Sequence, residues 1–567
     1  MFALHQLLLW LAVGLEVTNV FGSPAQLPLQ MQQLSTKPRR LHGRFLHITD
    51  MHPDPYYAAH RSQSTACHRK KPKKKKDGSG YYGTPYSECD SPFRLTNFTL
   101  DYLETNWANE IDFVIWTGDN ARHDNDRKLP RTPAEIYDLN RSVAGKMKKI
   151  FTKRGIPVIP SLGNNDVWPH NILEPGPNSI TNEFSSIWST FIPFPYLQVF
   201  QRGAYYSVEV VPDELAVISL NSMYFYDSNK AVSGCPYVDR EDPGNLQFDW
   251  LEVQLKMYRQ RNMQVWLTGH VPPSPGNYFP ECYVRYVELS LRFQDTILGH
   301  LYGHMNVDHF FFIEASDLQI VTGDEEKPAS HTGLFETLLQ DFEALPGSKK
   351  ADLDEYGVIN VAPAVVPNPY LPSFRIFSYN VSATDGRVTA DAKKKKDKKK
   401  KPKRKHGHRR GKRGDKSTHC KLDEYRNSWL CHLSNEAWNS DANAPSRANQ
   451  RWTPLGFAQY NVPNLDDADK THPPRFELEY LTYALNRLHP PTTSAESKTD
   501  FVYPIPLKQL PEGLRDGSVN KSKLAPYGLD DLTIGSWVKL GRRLGDEKHA
   551  KLRKRFRRFM FAGGKEE

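Results

Sequence analysis

The 567-residue sequence predicts an α/β core, and three observations carry that expectation. Between residues 45 and 162, short apolar runs alternate with longer amphipathic ones in the order strand, helix, strand, helix, strand. Each apolar run then closes on small or polar residues, as strands do where a sheet meets a loop. With 38% hydrophobic and 12% aromatic residues, the chain can also bury a substantial core.

The run Phe45-Leu46-His47-Ile48 reads as a short buried strand ending at Thr49-Asp50-Met51-His52. Residues 97–110 place Phe98, Tyr102, Leu103 and Trp107 at three- to four-residue spacing, which predicts a helix. Phe113-Val114-Ile115-Trp116 is a second strand, closed by Thr117-Gly118-Asp119. A helix over 133–154 follows, with Ile136, Leu139, Val143, Met147 and Ile150 as its apolar face. The strand over 156–162 closes on Gly163-Asn164-Asn165-Asp166. Residues 205–211 and 215–220 read as paired strands, and a helix over 248–261 leads to Val265-Trp266-Leu267 and Gly269-His270. The pattern repeats at 297–302, ending at Gly303-His304-Met305-Asn306, and 374–379 is a further strand.

Around this core the sequence divides by composition. Residues 1–22 are apolar and read as a signal peptide or a membrane anchor, either of which sends the remainder to a lumen or outside the cell. Residues 23–40 form a Pro/Gln-rich stem, 41–390 the main folded domain and 391–450 a Lys-rich variable insertion. Residues 451–490 return to the domain, because 456–462 and 476–481 look like the continuation of a hairpin begun at 374–388; 491–567 is a C-terminal extension.

The formal charge of +10 is concentrated in two runs, fifteen Lys/Arg against one Asp over 393–413 and seven Lys/Arg over 69–76. The remaining body is mildly acidic, so no nucleic acid is expected as a partner. The runs read either as solvated, disordered charge or as a capture surface for a polyanion. Six cysteines suit an oxidising compartment; pairing of neighbours (67–89, 235–282, 420–431) is the simplest of fifteen connectivities. Sequons at Asn97, Asn140, Asn380 and Asn520 agree with a secretory route.

Five strand ends therefore carry ligand-type residues: Asp50-Met51-His52, Gly118-Asp119, Gly163-Asn164-Asn165-Asp166, Gly269-His270 and Gly303-His304-Met305-Asn306. In α/β sheets, sites gather at strand ends, and carboxylate with imidazole suits a transition metal. The series resembles the five motifs of the calcineurin-like metallophosphoesterases, over residues 43–385 and again at 451–490. The likeness is nearest to the acid sphingomyelinase-like branch. Residues 161–167 and 302–309, the lysine tracts and the apolar N-terminus are similar to the fungal vacuolar endopolyphosphatase subfamily.

The resemblance implies a β-sandwich flanked by helices, with Lys-rich disordered insertions. It implies two divalent metal ions (Mn, Mg, Zn, Fe or Co), with Asp50 and His52 on the first, Asp119 bridging, and Asn164, His270 and His304 on the second. It further implies a vacuolar, single-pass type II membrane protein that hydrolyses internal phosphoanhydride bonds of inorganic polyphosphate by attack of a metal-activated hydroxide. Two positions depart from the family. The histidine that follows the motif-three Asn is Asn165, and the second histidine of the last motif is Asn306, an amide where the first metal's imidazole is expected. His123, four residues after Asp119, is the remaining candidate proton donor. The alternatives are a sphingomyelinase-like phosphodiesterase and a non-catalytic, membrane-tethered polyanion-binding protein.

Overall fold

The apolar runs assemble into two six-stranded sheets that face one another. The computed structural model describes residues 40–319, 333–382, 420–490 (apart from 424, 435 and 439) and 501–566. In chain order the strands are β1 (Arg44–Ile48), β2 (Pro53–Asp54), β3 (Ser91–Pro92), β4 (Phe113–Trp116), β5 (Val158–Pro160), β6 (Tyr206–Val211), β7 (Leu215–Ser219), β8 (Gln264–Thr268), β9 (Ile297–Tyr302), β10 (His309–Glu314), β11 (Tyr356–Val361), β12 (Ser373–Tyr379), β13 (Pro454–Asn461) and β14 (Glu477–Leu481). The helices are α1 (Phe93–Asn106), α2 (Pro133–Ile150), α3 (Ser179–Ile187), α4 (Leu197–Gly203), α5 (Pro243–Gln260), α6 (Pro280–Arg292), α7 (Leu334–Ala344), α8 (Trp429–His432), α9 (Ile534–Gly545) and α10 (Ala550–Met560).

The first sheet runs β14-β13-β12-β1-β4-β5 and the second β10-β11-β9-β8-β7-β6. β1, β4 and β5 are parallel to one another, as are β7, β8, β9 and β11. All five residues of β1 are buried, which fits a central strand covered on both faces. Phe45 stacks between Phe113 (4.7 Å) and Phe377 (5.0 Å) of its own sheet and meets Trp266 of the other edge-on at 5.1 Å. This aromatic seam joins the layers at one end. Near the other, Ser161 and Ser219 hydroxyls lie 2.9 Å apart and the Tyr206 hydroxyl donates to the Pro160 carbonyl. The layering is the sandwich that the resemblance implies.

Element limits differ from the sequence expectation for identifiable reasons. α1 starts at Phe93 and buries Leu95, Leu100 and Leu103, while Phe98 and Tyr102 are only partly covered, against Phe476. α2 stops at Ile150, and one 3-10 turn follows, closed by Gly155 at φ 73°. α5 begins five residues earlier than expected, because the Asp242 carboxylate caps the amides of Gly244 and Asn245. β13 and β14 extend the first sheet beyond β12. The segment after 501 is packed into the body, with Trp537 of α9 4.5 Å from Phe310 of β10.

The disulfides are Cys67–Cys89, Cys235–Cys282 and Cys420–Cys431. The first basic run is not disordered: residues 69–76 form a defined loop beside the first disulfide, with a 3-10 turn at Lys75–Asp77 and the lysines exposed. The second run, the N-terminal apolar segment and all of the stem but residue 40 lie outside the described residues. Among the described residues, no helix is long and apolar enough to cross a membrane.

Candidate metal centre

The carboxyl ends of β1, β4 and β5 from one sheet meet those of β8 and β9 from the other. Backbone hydrogen bonds stitch the loops: Asp50 N–H to Gly118 O (3.0 Å), Met51 N–H to Asp119 O (3.0 Å) and Gly303 N–H to His270 O (3.0 Å). The His304 amide donates to the Asp50 carboxylate at 3.1 Å and so ties the two sheets together. Asp50, His52, Asp119, His304 and Asn306 all have positive φ, between 37° and 71°. Non-glycine residues adopt that region at a cost and keep it where the surroundings enforce it, typically at functional sites. Glycine is needed beside them. A Cβ on Gly163 would lie 2.0 Å from Asp119 Oδ1, and one on Gly303 2.1 Å from Thr49 Oγ1.

Asp166 pins this arrangement. Its buried carboxylate accepts from the amides of Asp119 (2.9 Å), Asn120 (2.8 Å) and Gly163 (3.1 Å), and from Asn140 Nδ2 (3.0 Å). Asn140 is completely buried on the inner face of α2, so the sequon there is not a glycan site in this fold. A glycan would displace the Asp166 contact and the helix packing together. Asn97 and Asn380 are partly exposed and Asn520 is exposed.

The ligand-type side chains are oriented from behind. His52 donates from Nδ1 to the Ala121 carbonyl (2.7 Å), which leaves Nε2 3.6 Å from Asp50 Oδ1 and 3.5 Å from Asp119 Oδ2. His270 donates from Nδ1 to the Thr117 carbonyl (2.7 Å), so its Nε2 faces Asp119 Oδ2 at 3.2 Å and Asn164 Oδ1 at 2.9 Å. His304 brings Nδ1 to 2.9 Å from the same Asn164 oxygen. Asn164 and Asn306 spend their amide hydrogens outward, on Asn171 Oδ1 (2.9 Å) and the Asn368 carbonyl (2.8 Å). Their oxygens are left for the centre.

Two of these buried atoms, His52 Nε2 and Asn306 Oδ1, have no hydrogen-bond partner. Buried polar atoms without partners are costly, and a cation is the partner that lone pairs of this kind accept. Asp50, His52 and Asp119 each bring a ligand atom within 4.8 Å of the others. The donor set of carboxylate, amide oxygen and imidazole therefore fits divalent metal ions.

Electrostatics agree. Burial would lower the His52 imidazole, but the nearby carboxylates of Asp50, Asp119 and Asp90 push it up to about 9. His270 behaves alike: burial opposes the charge, yet Asp119 and Asp50 hold it at about 9. Burial would raise Asp119, and the His270 charge outweighs it, leaving the carboxylate well below its usual range. His304 is pushed down to about 4 by burial and then by the His270 charge. The field is that of a net anionic pocket in which a cation is favourable.

Contacts join six of the seven ligand-type residues named from the sequence, and Asn306 follows two residues after His304 with its side-chain oxygen buried and unpaired. Asn165 has a different part from the histidine it replaces. Its backbone amide donates to Asp119 Oδ1 and its side-chain amide to Oδ2, each at 2.8 Å, so it clamps the carboxylate as a positioning residue. His123 is not an ordinary loop histidine. It stacks on His52 with ring centres 3.9 Å apart, stays 22% exposed, and donates from Nδ1 to Asp90 at 2.7 Å. Asp90 follows Cys89 and also accepts from the His123 amide at 2.6 Å. Sequence reasoning passed over Asp90 and Asn368, which carry no periodicity or motif, and gave Asp166 no role.

Comparison with known proteins bears on this geometry. Residues 43–308 match the calcineurin-like phosphoesterase family. An endopolyphosphatase of Cryptococcus neoformans var. neoformans is 40% identical, over 96% of this chain and 94% of its own length. The chain belongs to the endopolyphosphatase family. An endopolyphosphatase of Saccharomyces cerevisiae is 31% identical, over 94% of this chain and 88% of its own. A solved dimetal phosphatase from Danio rerio aligns with 60% of the chain at 12% identity and a TM-score of 0.34. In this member of the endopolyphosphatase family, the matched phosphoesterase region holds every ligand-type residue, while β10–β14, which complete both sheets, and α7–α10 lie beyond it.

Proposed function

We propose that the chain hydrolyses internal phosphoanhydride bonds of inorganic polyphosphate with two divalent metal ions at this centre. The observation that carries the reading is Asp119, whose Oδ2 stands 3.5 Å from His52 Nε2 beside Asp50 and 3.2 Å from His270 Nε2, with Asn164 joining His270 to His304. A carboxylate between the two groups supplies the anion that two adjacent dications require. The ions supply Lewis acidity, which activates water and neutralises charge on the phosphoryl oxygens. Asn306 puts an amide oxygen where imidazole would bind more strongly, which favours harder ions such as Mg or Mn on that side.

The chain's own residues do the rest. Asn165 and the Asp166 network hold Asp119 in register. His123, fixed through Nδ1 by Asp90, offers Nε2 for protonation of the leaving oxygen. A phosphoanhydride leaving group is a weakly basic oxyanion and needs little such help, so the second imidazole that Asn165 replaces is dispensable for it. The His123–Asp90 pair is also what favours the second reading, phosphodiester cleavage, in which a more basic alkoxide must leave.

Incubating the purified chain with long polyphosphate, a phosphodiester and ATP, with and without a chelator, separates the readings. Chelator-sensitive shortening of polyphosphate to intermediate lengths is expected; release of orthophosphate alone, or faster diester turnover, would replace this reading. The three disulfides and the sequons at Asn97 and Asn380 support a lumenal, glycosylated protein, and the apolar N-terminus supports vacuolar type II anchoring. Deglycosylation shifts and alkaline extraction of the full chain test both.

A further inference from the structure

We propose that α10 and the cleft beside it form a binding track for long polyphosphate chains that leads to the metal centre. The proposal rests on the polyphosphate reading and adds a site to it. From Ala550 to Met560, α10 carries six Lys/Arg and no acid. Leu552, Phe556, Phe559 and Met560 are buried, with Phe559 stacked on Tyr480 at 4.4 Å and Phe556 5.9 Å from Phe310. The helix is thus held rigidly by its apolar side. Lys551, Lys554 and Arg558 are exposed and Arg555 half-buried. Their spacing of i, i+3, i+4 and i+7 lines them along one face, over a rise of about 10 Å.

Few described carboxylates neutralise this stripe. Among the described residues, Arg553 and Arg557 approach Glu547 and Glu566 at 4.0 Å each, and the Arg558 charge acts on the buried Glu479 carboxyl. Arg555 also lines an open cleft of about 680 Å³ with Asn486, Asn520, Lys521, Ser522 and Lys523. Lys521 and Lys523 are exposed and pair with no carboxylate among the described residues. Clustered cations repel one another, and the arrangement is favourable when an extended anion lies along it.

Position connects the track to the centre. At the end of α10, the Met560 carbonyl accepts from the Asp308 amide at 3.3 Å, two residues beyond Asn306. Just past it, the Lys565 carbonyl accepts from the Tyr370 hydroxyl at 3.0 Å, two residues beyond Asn368, whose carbonyl holds the Asn306 amide. The C-terminal end of α10, just past Arg558, therefore rests on the two segments that orient Asn306. A membrane surface suits the site less well, because an interfacial helix needs its apolar face free and this one is buried in the core. The cleft offers no aromatic ring on which the bases of a single-stranded nucleic acid could stack, among the described residues.

The test replaces four exposed lysines in the full chain, Lys521→Ala, Lys523→Ala, Lys551→Ala and Lys554→Ala, beside the same four as Lys→Arg. For the alanine set, KM for long polyphosphate should rise about tenfold, and the salt dependence of its binding should weaken by roughly 0.7 log units per cation removed. KM and kcat for tripolyphosphate should stay within about twofold, since that substrate is too short to reach the track. The arginine set should match wild type. Equal shifts on both substrates, no shift on either, or loss of binding to phosphatidylserine vesicles with polyphosphate constants intact would overturn the track. Binding of long polyphosphate to the same sets in an Asp119→Asn background reads the track without turnover, so its result stands even if the proposed reaction is wrong.

Discussion

Around Asp119, the side formed by Asn164, His270 and His304 is drawn together, with both imidazoles 2.9 Å from one amide oxygen. The side formed by Asp50, His52 and Asn306 is looser: His52 Nε2 stands 3.5–3.6 Å from its carboxylates, and both it and Asn306 Oδ1 lack partners. One side offers two imidazoles and an amide, the other one imidazole, a carboxylate and an amide. Donor strength is thus distributed unequally across one pocket. On the proposed two-ion reading, the side with two imidazoles would retain its ion and the side with one would exchange it.

The most severe way to break that comparison is to remove what both sides share. Asp119→Asn should cost several kcal/mol of transition-state stabilisation, about a thousandfold or more in kcat. Retention of more than a tenth of wild-type turnover would mean that the carboxylate is not common to the two sides. Next, His304→Ala and Asn306→Ala should separate the sides by affinity. Metal titration should show about a hundredfold loss for the first and about tenfold for the second, and equal losses would erase the asymmetry. Asp90→Asn frees the His123 ring without touching a ligand. It should lower kcat ten- to a hundredfold on a phosphodiester, whose basic alkoxide needs the proton, and far less on polyphosphate, with metal content unchanged; a fall in bound metal would assign Asp90 to the centre itself. The smallest effect should come from Asn165→Ala, which deletes one of two clamps on Asp119 at about 1.5 kcal/mol, read as roughly tenfold in kcat. A hundredfold or larger loss would return Asn165 to direct contact with substrate.

Much of the centre was legible in the sequence because its ligands sit at the ends of apolar strands, where periodicity locates them. The residues behind the ligands were not, because their contacts are long-range or use the backbone. Asp90 reaches His123 across 33 residues, and Asn368 acts through a carbonyl that any residue could supply. Asn140 is a different kind of miss. Ile136, Val143 and Met147 place position 140 on the apolar face of α2, and a three-residue sequon carries no information about which face of a helix it occupies. The charge of α10 was plain in the sequence, but which neighbours cover its apolar side and where it ends required the fold. The first sheet's last two strands were readable despite the intervening insertion, since β13 and β14 keep strand composition on its far side.

Asp166 has a consequence for how the protein lives with its metal. Its four hydrogen bonds come entirely from protein groups and fix the β4 and β5 loops to each other and to α2. Unlike small domains that fold only when an ion arrives, this pocket owes its shape to its own chain. Stripping the ions should therefore leave the melting transition of the body largely in place, and the stripped protein should regain activity within mixing time when a suitable ion is returned. Which ion it carries at a given moment is then a reading of its surroundings rather than a record of its folding.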